Sequence, residues 1–359
     1  MKKLIAISVV FALVAGVAFA VDLGANVIGT VNVLESNPDD VQSSGTMNRV
    51  RIDGSGEAGD GAFGGYYRLE AWHWSGEAFF GNVWWKPLDQ FKLILGSNGG
   101  DGFYGKEGVT GWMFYQTACD TGVTNPNNTW GGSLYGIGVQ TRDAFYGGDG
   151  GFDQVRLEIA PADIAKINVV LPFFGGGKTA DVFKKTTFQL DLNLDFGNIA
   201  VTYVGNMMEG DQQPSIYGYF GGSFGDLSLD VGIGFTLPNE DGTSNPIGIG
   251  VGVKYAMDTL GVKFRTVAKL AGEDKATRIL ADVMPYFVLG DNLTAFVSVG
   301  IGMLMPDGGD SQLGWHFNPY IQVGEEWGAK FLAGIKASSS GVEGADVEWS
   351  VPIALIVSF

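Results

Sequence analysis

Residues 185–196 read KTTFQLDLNLDF, and the order of those side chains decides the fold. Lys185, Thr187, Gln189, Asp191, Asn193 and Asp195 alternate with Thr186, Phe188, Leu190, Leu192, Leu194 and Phe196. A β-strand turns successive side chains to opposite faces, so this segment carries one wholly polar face and one almost wholly apolar face. Residues 226–237 repeat the pattern. There Leu227, Leu229, Val231, Ile233, Phe235 and Leu237 lie opposite Asp226, Ser228, Asp230, Gly232, Gly234 and Thr236. Residues 247–257 and 291–303 have the same form, with Ile247, Ile249, Val251, Val253 and Tyr255 on one side in the first and Leu293, Ala295, Val297, Val299 and Ile301 in the second.

The connections alternate too. Tight turns fall at Phe196-Gly197-Asn198, Phe224-Gly225-Asp226, Met257-Asp258-Thr259 and Leu289-Gly290-Asp291-Asn292, and longer polar stretches separate them at 208–214, 239–246, 271–276, 305–311 and 338–346. Short turns at one rim and long loops at the other describe a barrel that crosses a membrane. Strands entering the short turns end on Trp85, Phe196, Phe224, Tyr255 and Phe287, at the level where aromatic rings favour the lipid headgroups. A secreted β-sandwich also alternates, but it gives no reason for short and long connections to take turns.

The last strand carries the most specific signal. Trp349, Val351, Ile353, Leu355, Val357 and Phe359 occupy alternate positions, and Phe359 closes the sequence. In this the chain resembles the Gram-negative outer-membrane β-barrels, of porin-like type, whose final strand alternates apolar residues and ends on an aromatic. The resemblance implies placement in the outer membrane, contact with its lipid, and recognition of those six residues by the barrel-assembly machinery. Pro352 departs from an ideal strand because it lacks an N–H, and it fits a bulge or a position free of ladder bonds.

The expected fold is therefore all-β: a transmembrane antiparallel up-and-down β-barrel of about 18 strands, within roughly 16–20. Met1-Lys2-Lys3, the uncharged run Leu4–Ala20 and the closing Ala18-Phe19-Ala20 read as a cleaved signal peptide over 1–20. Residues 21–359 then form one barrel, with 98–152 either a long loop or an extra hairpin. By position, this segment resembles the early porin loop that folds inward and narrows the channel. Its Cys119 has no partner cysteine in the chain.

Composition excludes several functions. A formal charge of −17 opposes nucleic-acid binding, which needs Lys and Arg against phosphate. Two His and one Cys exclude a disulfide framework and a Cys/His zinc site. High acidity combined with 45% hydrophobic residues fits a barrel with lipid outside and charge on loops and lumen.

If the apolar face meets lipid, the polar face lines the lumen. That assigns Arg49, Arg51, Arg68, Glu70, Arg156, Glu158, Lys185, Asp191, Lys263, Arg265 and Lys330 to the channel wall. Over all the inward positions of the expected strands, bases outnumber acids by 14 to 10, so the wall reads as mildly anion-favouring or mixed. The same residues could instead pair across strands, Arg49 and Arg51 with Asp53 and Glu70 for example. The function expected is passive passage of small hydrophilic solutes or ions. A structural or adhesive surface protein and a substrate-selective barrel transporter are the alternatives, and a homo-oligomer is compatible with each.

Nothing in the sequence points to catalysis or to a cofactor. Gly221-Gly222-Ser223-Phe224-Gly225 satisfies G-x-S-x-G but leads into a turn and another strand, whereas a nucleophile elbow needs a helix. Gly59-Asp60-Gly61-Ala62-Phe63-Gly64 satisfies G-x-G-x-x-G but belongs to a turn. His73 and His316 sit in no acid–base motif. The Asp/Gly runs at 98–102, 147–150 and 307–310 lack the ligand spacing of a dedicated Ca²⁺ site.

Overall fold

A computed structural model describes residues 20–37, 40–72, 76–96, 154–172, 186–204, 215–237, 247–270, 277–324, 328–339 and 346–358. They form β1 (Ala20–Asn37), β2 (Asp40–Ala58), β3 (Phe63–Trp72), β4 (Gly76–Leu88), β5 (Phe91–Gly96), β6 (Gln154–Ala162) and β7 (Ala165–Pro172). Next come β8 (Thr187–Leu194), β9 (Gly197–Val204), β10 (Ser215–Phe224), β11 (Leu227–Thr236), β12 (Ile247–Ala256) and β13 (Leu260–Leu270). The last are β14 (Thr277–Gly290), β15 (Leu293–Met305), β16 (Gln312–Val323), β17 (Ala329–Gly334), β18 (Lys336–Ser339) and β19 (Glu348–Ser358). All lie in one sheet in which successive strands pair antiparallel, and β1 pairs with both β2 and β19. The sheet is therefore a closed up-and-down ring, which leaves no row of unpaired backbone groups to face lipid.

β17 and β18 each pair with β16 on one side and β19 on the other, so they are two halves of one strand. The nineteen segments thus fill eighteen places in the ring among the described residues. The break at Ile335 has a chemical cause. Ile335 donates its N–H to Pro319 O at 2.9 Å, but Pro319 has no N–H to return. On the other flank the β19 ladder skips from Ile353 to Ser350, passing Pro352, and the β1–β19 register shifts between Asn32 and Glu35. Pro352 pairs with Asn32 of β1 at the edge of that shift and is passed over between the β17 and β18 ladders. β5 and β6 pair directly, Leu95 against Val155. Segment 98–152, expected as a loop or hairpin joining them, lies outside the described residues, and so do residues 1–19 of the expected signal peptide.

Side-chain exposure inverts the pattern of a water-soluble protein. Leu190, Val283 and Phe317 are exposed, whereas their neighbours along the strand, Gln189, Asp282 and His316, are buried. Apolar residues therefore form the outer face and polar ones the inner. Trp85, Phe196, Phe224, Tyr255 and Phe287 all stand exposed at the ends of strands entering short connections. In the turn after β2, Ala62 N–H donates to Gly59 O at 3.0 Å, and Gly59, Asp60 and Gly61 all have positive φ. Glycine supplies two of those three left-handed positions, which explains the G-x-G-x-x-G match without a phosphate. The G-x-S-x-G match likewise ends β10, and its Ser223 meets Ser228 of β11 at 3.1 Å between hydroxyl oxygens.

Candidate channel interior

The strands place Arg51, Arg68, Arg156, Glu158, Asp191, Lys263, Arg265 and Lys330 on the inner face, in the parity opposite to the exposed apolar residues. The side chains of Arg49 and Glu70 and the whole of Lys185 lie outside the described residues, as does Phe359. Of the closing strand, Leu355 is exposed and Trp349, Val351, Ile353 and Val357 are half-buried, while the interleaved Ser350, Pro352 and Ala354 are buried inside.

Three polar clusters occupy the wall. On β2 and β3, Asp53 accepts from Arg68 Nε and from the Tyr66 hydroxyl, each at 2.6 Å, and its other oxygen forms an ion pair with Arg51, whose Nε lies 2.8 Å away. The pairing of Arg51 with Asp53 is thus realised, and Arg68 joins it because the register sets it directly opposite Asp53. Across β6–β9, Arg156 Nη2 lies 2.9 Å from Glu158 Oε1 and donates to Asn168 Oδ1 at 3.1 Å. Asn168 Nδ2 donates to Asp191 Oδ2 at 2.9 Å, Gln189 donates to the other Asp191 oxygen, and Thr202 Oγ1 donates to Gln189 Oε1 at 3.3 Å. Arg156, Asn168, Gln189, Asp191 and Thr202 are all at most 1% exposed, so this network is sealed from bulk water. Buried polar groups persist only when paired, and here a chain of partners meets the need.

The third cluster spans β13–β16. Arg265 Nη2 donates to Asp282 Oδ2 at 2.6 Å, His316 Nε2 lies 3.7 Å from Asp282 Oδ1, and Ser298 Oγ is 3.0 Å from the same His316 nitrogen. The register row runs Arg265, Asp282, Gly300, His316, and a Cβ on Gly300 would collide with both Asp282 Oδ1 and the His316 ring. Glycine at that point lets the two side chains meet across the intervening strand. Serine, histidine and aspartate are thus together, but Ser298 and Asp282 approach one ring nitrogen. A relay would need them on opposite nitrogens. His73 lies outside the described residues. Among the described residues no group of three or more His, Cys, Asp or Glu could hold a metal ion.

The sequence reading missed an apolar portion of the inner face. Met284, Tyr320, Leu332 and Ala354 form a buried cluster there, with Phe296 and Ile356 packed against it. Phe296 and Tyr320 stack with centroids 4.7 Å apart and planes 8° from parallel, and Tyr286 tilts against Phe296 at 5.8 Å. Each such ring pair contributes about 0.5–1.5 kcal/mol beyond its burial. Elsewhere on the inner face Lys92 Nζ sits 4.2 Å above the Trp84 ring. The signal for the apolar cluster is the loss of alternation at Val283-Met284-Pro285-Tyr286-Phe287 and Ala295-Phe296-Val297, where both faces carry apolar residues.

No family model and no curated sequence matches the chain. Solved structures do. The anion-selective porin from Comamonas acidovorans superposes with a TM-score of 0.53 at 11% identity, over 95% of this chain and 100% of that one. The outer-membrane expressed OmpT of Vibrio cholerae gives 0.52 at 12%, over 94% and 97%. OccAB4 of Acinetobacter baumannii gives 0.51 at 8%, again over 94% and 97%. At such identities the likeness is one of fold, and it extends over nearly the full length of each partner.

Proposed function

We propose that this chain, an outer-membrane-type β-barrel of porin-like architecture, is a passive channel for small hydrophilic solutes or ions across the outer membrane. The observation that carries the reading is the closed ring with large apolar side chains outside and polar ones inside, among them the partly accessible Arg51, Asp53 and Glu158. Such a wall gives polar solutes a hydrogen-bonding path through lipid that a sandwich core does not. In this reading residues 1–20 are removed on export, and the alternating residues from Trp349 to Phe359 address the chain to the assembly machinery. A homo-oligomer is compatible with it. The chain is read as non-catalytic.

One observation favours a narrower version, a substrate-selective barrel. The β6–β9 network is too well sealed to line a wide aqueous bore, so permeating solutes would travel along other parts of the wall. Liposomes containing the refolded protein test both. Efflux of small sugars and amino acids above the rate of empty liposomes supports a general channel. Efflux confined to a few solutes supports the selective version, and efflux equal to that of empty liposomes overturns both.

A further inference from the structure

We propose that the wall between β17–β18 and β19 holds a lateral exit, through which small neutral apolar solutes with a planar ring leave the lumen for the hydrocarbon of the bilayer. The inference needs the barrel but goes beyond the aqueous channel, whose hydrophilic solutes would keep to the polar wall.

The argument begins with what one ladder lacks. β17 pairs with β19 as far as Ala333 opposite Ile353, and β18 resumes at Lys336 opposite Ser350. Among the described residues no ladder pair joins Gly334 or Ile335 to Val351 or Pro352. The bounding pairs lie three residues apart on both strands, which makes a slot about 10 Å tall at the usual strand rise. The other flank of β19 is interrupted at the same height. There β1 pairs Asn32 with Pro352 and then Glu35 with Ser350, so Val351 has a ladder partner on neither side. Ile335 is fastened towards β16, through its N–H to Pro319 O at 2.9 Å. Two strands that share no ladder pair over this height part without breaking one, and local opening concentrates where such bonds are few.

The lining decides what passes. On β8 the inner face is polar, with Thr187, Gln189 and Asp191. Beside the slot it is apolar. Leu332 lies opposite Ala354, both buried, and Gly334 and Pro352 come next on the same face of their strands. Phe296 and Ile356 pack against this patch and remain half-buried. On the outer face Phe331, Ile335 and Leu355 are exposed. The wall is thus apolar on both sides where its pairing fails. A bend in the strands accounts for missing pairs, since proline has no N–H, but it does not call for an apolar inner face. Asn32, the polar neighbour of Pro352 on β1, turns its Nδ2 to Glu35 Oε2 at 2.6 Å. An ion or a sugar would shed its water here without replacement, whereas a neutral apolar ring loses nothing. A planar ring is thin in one dimension, so it asks the least widening of strands normally about 4.8 Å apart.

The test is photolabelling in phospholipid vesicles. The refolded full chain is irradiated with trifluoromethyl phenyl diazirine, a neutral ring probe that dissolves in the bilayer, and labelled residues are located by mass spectrometry. The expected result is label on inward Phe296 and Ile356 as well as on outward Phe331 and Leu355. Gly334→Phe fills the slot and Pro352→Val supplies the missing donor. Each lowers the inward label at least about threefold, while the outward label and the folded fraction by circular dichroism are unchanged. Absence of inward label in the parent chain overturns the exit. Inward label unaltered in both variants also overturns it, because the probe then arrives through the aqueous lumen. A barrel that conducts ions without inward label contradicts the exit and leaves the channel standing. Inward label that both variants suppress, in a barrel that does not conduct, supports the exit and contradicts the channel.

Discussion

Arg265 Nη2 donates to Asp282 Oδ2 at 2.6 Å across directly opposed positions of β13 and β14, and both side chains are buried on the inner face. Such a pair adds modestly to stability when whole, yet breaking it strands a charge away from water. Asp282→Ala should therefore cost about 3–5 kcal/mol, whereas the double variant Arg265→Met, Asp282→Leu should cost far less. Urea unfolding of the barrel in phospholipid vesicles measures both. Equal losses in the two variants would remove the pair from the account.

Gly300 is the only residue type that lets Asp282 and His316 approach across β15, because an added Cβ would collide with both. Gly300→Val should destabilise by about 1–3 kcal/mol through overpacking. The same unfolding assay reads it, and a loss below the error of the method would mean the two side chains yield freely.

Outward Val283 lies mid-strand in β14, and outward Leu289 lies beside the turn that follows the same strand. Lysine at Val283 should cost about 2–4 kcal/mol, and at Leu289 about 0–1, because the penalty fades toward the headgroups. Equal costs at the two sites would contradict the assigned depth of the bilayer.

The inner arginines lie against carboxylates: Arg51 and Arg68 on Asp53, Arg156 on Glu158, and Arg265 on Asp282. Paired charges bias ions weakly, so the reversal potential in a KCl gradient should fall well short of the ideal Nernst value for either ion. Asp53→Asn, which frees two arginines from compensation, should move it toward anion preference. Movement toward cations would contradict the inner placement of that cluster.

How much of this was legible in the sequence depended on whether one face stayed polar. β8 could be read residue by residue, since Thr187, Gln189 and Asp191 point in and Phe188 and Leu190 point out, as their order implies. β14 could not, because Met284 and Tyr286 face inward between apolar outward neighbours and the period vanishes. The division of β17 from β18 was hidden for another reason: it depends on which residues of the middle strand Pro319 and Pro352 fall beside, a matter of register. Alternation does specify inward charge at Arg156 and Asp191, but it carries no information on which inward groups are sealed from water. That depends on which residues meet across β6–β9.

Planar-bilayer recording on the refolded protein tests the central claim most directly. The account predicts discrete current steps that scale linearly with voltage in symmetric KCl. A protein that inserts as a folded, heat-modifiable barrel and passes no current above the bare bilayer would contradict it.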